Sequence, residues 1–185
     1  MTILGSVTRQ KHIEVENLPL IQKLVTGKIS KEEYFFYMYE LFHIYNAIES
    51  LSRAAGILDG LIDIERTLKI KEDLEELQPG YPQRELLVST KEYIKYLNSI
   101  FNDPDKQHLL FAHVYVRHMG DLYGGKVIAR IVPGSGRAYQ FADRPALIKE
   151  FCSRLHIGMI DEANNAFAWF IKIFSEIGDS VLTAE

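Results

Sequence analysis

The chain is expected to be all-α, a single helical bundle, and three observations carry that expectation. Apolar residues recur at helical spacing along the sequence while strand-like alternation does not. Ser30-Lys31-Glu32-Glu33 has the form of a capping box, the usual opening of a helix. Glycine and proline clusters then divide the remainder into helix-length segments, with no internal repeat, linker or low-complexity tract.

Taken in order, Ser6 or Thr8 caps a first helix that runs to about Thr26, where Gly27 ends it. The capping box opens a second helix, whose apolar and aromatic residues extend from Tyr34 to Leu58. An acidic helical segment follows from near Ile62 to Glu76, and Gln78-Pro79-Gly80-Tyr81-Pro82 breaks it. Gln83 to Phe101 resumes as helix, and Asn102-Asp103-Pro104-Asp105 turns the chain. A long helix from about Lys106 to Ile131 stops at Pro133-Gly134-Ser135-Gly136, and a pair over Pro145 to His156 and Ile160 to Ile177 closes the bundle.

With 185 residues, 47% of them hydrophobic and 25% charged, the chain suits one domain, 1–185, with a sizeable core. A net charge of −4 gives no pull toward nucleic acid, so no nucleic-acid partner is expected. No apolar run approaches the roughly 20 residues that cross a bilayer, and Met1 to Gln10 lacks the pattern of a signal peptide. The lone Cys152 rules out an internal disulfide and fits a reducing compartment. A cytoplasmic monomer without membrane contact is therefore expected.

The most informative stretch is His113-Val114-Tyr115-Val116-Arg117-His118-Met119-Gly120-Asp121-Leu122-Tyr123-Gly124-Gly125-Lys126, which puts three glycines and a carboxylate inside a helix. Each interior glycine costs about 1 kcal/mol against alanine, so the three together give up about 3 kcal/mol. Gly120 and Gly124 share a face, which lets a flat ligand approach the main chain and lets the helix bend, and Asp121 sits beside that face. A helix crossing or a C-cap would also use bare backbone. The same residues mimic a phosphate loop, Gly120-x-x-x-x-Gly125-Lys126, but Val127 stands where Ser or Thr must hold magnesium and no buried strand precedes.

Among the six histidines, His12 has the best partner set: Glu16 one turn on, with Arg9 and Lys11 offering positive charge to an anionic ligand. His113, His118 and His156 have none comparable. His43 supports a rival, since Glu40-x-x-His43 is the spacing of carboxylate-bridged di-iron sites, with Asp105-x-x-His108 as the nearest second copy. Cys152 has no activating environment beyond His156, four residues on.

Three segments together resemble the heme oxygenases. His113-x-Tyr115-x-Arg117-x-x-Gly120-Asp121-Leu122-x-Gly124-Gly125 is similar to that family's distal helix, His12-x-x-x-Glu16-Asn17 to its proximal helix, and His43-Ile44-Tyr45-x-Ala47-x-Glu49 to a structural segment between them. The resemblance spans nearly the whole chain. It implies that His12 is the proximal iron ligand with Glu16 as its hydrogen-bond partner, and that Gly120 and Gly124 lie against the distal heme face. It further implies that Asp121 anchors the distal water network, that Arg9 meets a heme propionate, and that Tyr115 and Arg117 support the network or the propionate side. Phe167 fits a pocket-wall phenylalanine. The chain departs from the pattern at Tyr123, where the family usually has Ser, and at Phe170, where many relatives have asparagine. Phe151-Cys152 stands in place of a Tyr-Arg pair, which leaves Lys149 or Arg154 to substitute for a propionate arginine.

The activity so implied is oxidative opening of heme to biliverdin, of the IXα type, with release of CO and ferrous iron. Heme is both cofactor and substrate and O2 the co-substrate; electrons come from ferredoxin or a reductase, since the sequence carries no flavin or iron–sulfur pattern. The alternatives are a non-heme di-iron oxidase on a similar bundle and a heme carrier without turnover.

Overall fold

The computed structural model describes residues 3–182 apart from 62 and 82, so the expected helix start at Ile62, the Pro82 of the break, and Met1 of the N-terminal segment lie outside the described residues. The described residues form nine α-helices and three short 3-10 turns, with no strand among them. The all-α expectation therefore holds, but several boundaries move.

The first expected helix is three pieces: α1 (Ile3–Val7), α2 (Arg9–Glu16) and α3 (Pro19–Val25). Thr8 leaves helical geometry (φ −94°, ψ 1°) without a side-chain cap. Pro19 lacks an N–H and forces Leu18 into the extended region (φ −64°, ψ 137°), so the chain turns between α2 and α3. α4 (Lys31–Ala54) opens on the expected capping box: Ser30 Oγ accepts from Glu33 N–H at 3.1 Å and Glu33 accepts from Ser30 N–H at 2.8 Å. It ends before Gly56, whose φ of +70° no longer continues the helix.

α5 (Thr67–Leu77) and α6 (Val88–Phe101) both start later than their sequence patterns indicate, and for the same reason. Neither start has a local side-chain cap. Glu49 of α4 instead accepts from Arg66 N–H at 2.5 Å and Thr67 N–H at 3.0 Å. Glu176, from the last helix, accepts from Val88 N–H at 3.2 Å and Ser89 N–H at 2.9 Å. Carboxylates from distant helices thus satisfy the first-turn donors.

A 3-10 turn (Gln107–Leu109) leads into α7 (Leu110–Ile128), which continues through all three glycines. The turn Arg137–Tyr139 follows, then α8 (Arg144–Ser153), capped where the Asp143 side chain accepts from Ala146 N–H at 3.0 Å. A last turn (Ile157–Met159) opens α9 (Ile160–Leu182). α4 is central, contacting α5, α6, α7 and α9, while α9 also packs on α2 and α3. The core runs between them through Tyr34, Met38, Ile44, Ile48, Val114, Ile173 and Ile177, all fully buried. No helix among the described residues is long and apolar enough to cross a membrane.

Candidate active site

A cavity of about 830 Å³ opens between α2 and α3 on one side and α7 and α9 on the other. That is toward the upper end of small-molecule sites. Its walls are apolar at Ile21, Leu24, Met119, Phe167 and Phe174, and Arg9, His12, Glu16, Tyr115, Arg117 and Asp121 supply the polar groups.

The glycines of α7 divide by face. A Cβ at Gly120 would meet nothing within 4 Å, and one at Gly124 would meet only Ile128 Cδ1 at 3.7 Å. Both line the cavity, so the main chain is bare where a flat ligand would lie. Gly125 faces away: its Cβ would stand 3.0 Å from that of Tyr139. Its bareness serves packing.

Opposite these glycines stands His12. Its Nδ1 is 3.5 Å from Glu16 Oε1, longer than a hydrogen bond of normal strength, and its side chain is 53% exposed. The Phe167 ring meets it edge-on at 6.1 Å. No described residue bonds its Nε2, which leaves one imidazole nitrogen for an iron. Arg9 lines the cavity, but Lys11 does not: its ammonium pairs with Glu14 at 2.8 Å. A flat, dianionic, iron-bearing macrocycle matches this set: an imidazole on one side, bare backbone on the other, and a cation at the wall.

Behind Gly120 lies a buried ionic cluster. Arg117 donates through Nε to the Tyr45 hydroxyl at 2.6 Å and through Nη2 to Asp121 Oδ1 at 2.7 Å, while that hydroxyl donates to Asp121 Oδ2. Burial opposes the Arg117 charge, but the adjacent Asp121 and the surrounding phenols raise its pKa well above the ordinary value. The guanidinium also lies 5.7 Å and 5.9 Å from the ring centres of Phe170 and Phe174, so Phe170 gives the cation an aromatic face in place of an amide. Arg144 fixes the backbone beside the carboxylate, donating to the carbonyls of Asp121 at 3.0 Å and Leu122 at 2.7 Å.

Several expected residues fall elsewhere. Lys149 is exposed on α8, and neither it nor Arg154 lines the cavity. Arg154 is held by Glu150 at 2.8 Å and by the Ile57 and Asp59 carbonyls at 3.0 Å and 2.5 Å, so it staples α8 to the loop after α4. Both are thereby removed as substitutes for a propionate arginine. Phe151, at that arginine's neighbour position, is fully buried and stacks on Phe111 at 5.4 Å. Tyr123 lines the cavity and is 65% exposed at its rim.

His113 and His118 do have partner sets, contrary to expectation. His113 Nδ1 lies 2.8 Å from Tyr93 Oη and its Nε2 2.8 Å from Glu162 Oε1. His118 Nδ1 donates to the Val114 carbonyl at 3.0 Å, and its Nε2 lies 2.9 Å from Glu49 Oε1. These partners come from other helices or from one turn back, beyond what sequence spacing displays. Burial pushes both carboxyls up, but the facing histidine and the further donors at each hold Glu49 and Glu162 below the usual value.

The di-iron alternative fails on placement. Glu40 is buried with both oxygens toward Leu87 N–H at 3.4 Å, and His43 packs edge-on to Tyr39 and Phe42. Among the described residues no group of three or more His, Cys, Asp or Glu is arranged to share a metal ion.

Tyr37 and Phe174 line the cavity and Tyr45 bonds Asp121, although the sequence argument assigned none of them a site role. A signal existed: at 100° per residue Tyr34, Tyr37 and Tyr45 fall within about 80° of α4's circumference, a stripe of phenols on one face.

The comparisons with known proteins agree with this geometry. The heme oxygenase family model matches residues 2–151. The chain is 26% identical to rat heme oxygenase 1, covering 98% of this chain and 72% of the relative. It is 28% identical to the heme oxygenase of Rhodella violacea, covering 95% and 85%. In fold it is similar to the heme complex of heme oxygenase-1 from the cyanobacterium Synechocystis, with a TM-score of 0.83 and 23% identity over 98% of this chain and 93% of that one. The Leptospira interrogans heme oxygenase gives a TM-score of 0.83 and 23% identity over 94% and 97%. The chain therefore belongs to the heme oxygenase family, all-α oxidoreductases that open heme to biliverdin with heme as both substrate and prosthetic group.

Proposed function

We propose that this chain, as one heme oxygenase domain over 1–185, cleaves heme at the α position to biliverdin IXα with release of CO and ferrous iron. The observation that carries the proposal is one cavity with an imidazole on one wall and, on the other, bare backbone at Gly120 and Gly124 beside the buried Asp121–Arg117 pair. When bound, heme supplies the iron at which O2 is activated and the ring that is oxidised.

His12 would hold the heme iron through Nε2, with Glu16 bearing on the other ring nitrogen. Arg9 holds a propionate, and Tyr115 lines the same cavity. Phe167 and Phe174 give the cavity an apolar aromatic wall, and the lower local polarity strengthens the electrostatic action of Asp121. Arg117 pairs with the Asp121 carboxylate, and the Tyr45 hydroxyl fixes its orientation. Asp121 is thus an acceptor that orients water over Gly120, and that water carries the proton toward the cavity. Electrons come from a ferredoxin or a reductase, and the enzyme works as a cytoplasmic monomer.

Hemin added to the purified protein should give a defined Soret complex that His12→Ala loses and imidazole restores. Reductant and O2 should then yield a bilin from the wild type and not from Asp121→Ala. A stable complex that never yields bilin with an efficient electron donor would leave a carrier instead of an enzyme.

A further inference from the structure

One row of aromatic rings leads out of the cavity into a part of the bundle that heme binding does not use. Phe174, on the cavity wall, packs on Phe170 with ring centres 5.6 Å apart, and Phe170 meets Tyr93 of α6 edge-on at 5.5 Å. Tyr93 packs at 5.5 Å on Trp169, the chain's one tryptophan, and Trp169 at 5.7 Å on Tyr96. Tyr93 is fully buried, whereas Trp169 and Tyr96 are half-buried and open to the surface. Phe170 closes the row, and it is the ring that stands where many heme oxygenases have asparagine.

Both phenols of the row have a base at hand. Tyr93 Oη lies 2.8 Å from His113 Nδ1, and His113 Nε2 lies 2.8 Å from Glu162 Oε1. A carboxylate only accepts, so Glu162 draws the imidazole hydrogen to Nε2 and leaves the Nδ1 lone pair to accept from Tyr93. Tyr96 donates to the same carboxylate oxygen at 2.9 Å, and Asn165 bonds both at 2.6 Å and 3.2 Å, which fixes the pair. Burial holds the Tyr93 phenol well above its ordinary value and pushes Tyr96 up to about 12, so both are neutral at neutral pH. A neutral phenol gives up an electron easily only if its proton leaves with it, because the oxidised phenol is a strong acid. Packing accounts for the rings, and a backbone carbonyl would satisfy a buried hydroxyl; a histidine backed by a carboxylate is a stronger base than either need requires.

We propose that Tyr93, Trp169 and Tyr96 form a redox array that draws oxidising equivalents out of the heme cavity and delivers them to a reductant at the surface. The oxidant is heme that has cleaved a hydroperoxide without opening its own ring, which leaves two equivalents in the cavity. For each equivalent, Tyr93 gives an electron across the Phe170 and Phe174 rings to the oxidised heme and its proton to His113 Nδ1, where Glu162 faces the resulting imidazolium. Trp169 returns an electron to Tyr93 as His113 returns the proton, and Tyr96 refills Trp169 while passing its own proton to Glu162. A small reductant of the ascorbate type then restores the Tyr96 electron, and Glu162 gives the proton back. The net change is one electron moved from the reductant to the heme. The Lys172 ammonium lies 5.4 Å from the centre of the Trp169 ring and disfavours positive charge there, so the vacancy moves on to a phenol.

The array depends on the function proposed above only for its oxidant, so its first test needs no heme. Azide radicals, generated by pulse radiolysis, oxidise tryptophan in preference to tyrosine. In the apoprotein they should give an indolyl radical at Trp169 that converts to a phenoxyl radical in a first-order step independent of protein concentration, and a chain carrying both Tyr93→Phe and Tyr96→Phe should lose that conversion. A persistent indolyl radical in the wild type, or unchanged conversion in the double variant, overturns the array. Should the double variant fail to fold, each single variant should convert more slowly, and wild-type rates in both overturn it equally. In the hemin complex, tert-butyl hydroperoxide should give a tyrosyl radical in freeze-quench EPR that Tyr93→Phe loses while keeping the Soret spectrum and bilin formation. Trp169→Phe should slow the decay of that radical by ascorbate several-fold. A wild-type signal from Tyr93→Phe overturns the path out of the cavity and leaves the heme-cleaving function standing. Absence of any Soret complex overturns that function, and the apoprotein result then decides the array.

Discussion

α2 and α7 face each other across the cavity and are held in place very differently. α2 buries none of its eight residues, and His12 and Glu16 are 53% and 56% exposed. α7 buries twelve of nineteen, its Arg117 and Asp121 are paired inside the protein, and Arg144 ties down its carbonyls from a third direction. The distal side is thus organised before any ligand arrives, as proton handling requires, since a misplaced carboxylate loses its effect. The proximal side needs only to offer one nitrogen to an iron, and the iron itself can complete its placement.

The largest expected break in this contrast comes from Asp121→Ala, which leaves the Arg117 charge buried without its partner. That should destabilise the apoprotein by about 3–5 kcal/mol, read by denaturant unfolding, whereas Asp121→Asn keeps the shape and one acceptor and should cost less. A stability close to wild type in Asp121→Ala would show that the distal wall is not preorganised by this pair.

Hemin should act mainly on the other wall. At a hundred times its Kd the ligand stabilises by about 2.7 kcal/mol, and hydrogen exchange should slow more over residues 9–16 than over 110–128. Equal protection of the two would remove the contrast.

Glycines of the same helix should respond with opposite signs. Gly125→Ala forces a Cβ to within 3.0 Å of that of Tyr139 and should cost about 1–3 kcal/mol. Gly120→Ala meets open space and should stabilise the apoprotein by about 0.5–1 kcal/mol through helix propensity, while obstructing the cavity to hemin. Thermal unfolding of the two variants, with a hemin titration, checks both.

Acid should weaken the buried pairs of Glu49 and Glu162. Glu49 and Glu162 have folded values below the ordinary 4.5, so the stability they add is complete above that pH and is lost as pH falls through the folded values. The Tm difference between wild type and Glu49→Gln should therefore shrink below about pH 4.5. The smallest effect belongs to His12→Ala, which should alter apoprotein stability by no more than about 0.5 kcal/mol while abolishing the heme spectrum.

What was legible in the sequence follows the same division. The capping box at Ser30 and Glu33, the breaks at glycine and proline, and the pairing of bare glycines with Asp121 are local patterns, and local patterns survive in one dimension. The splitting of the first helix was also written there, in Pro19, but the helical periodicity across it masked the interruption. The starts of α5 and α6, the supports of His113 and His118, and the burial of Tyr139 against Gly125 depend on residues far away in the chain. Arg154 shows the converse: a basic residue near the right position in sequence, spent on two loop carbonyls in space.

The glutamate that completes α6 has a consequence for synthesis. Ser89 receives its acceptor from Glu176, 87 residues later. At translation rates of about 5–20 residues per second, the first turn of α6 waits roughly 4–17 s for that carboxylate to be made. A nascent chain halted before α9 would carry an unfinished α6, and protease sensitivity near Val88 would report how far the ribosome had travelled.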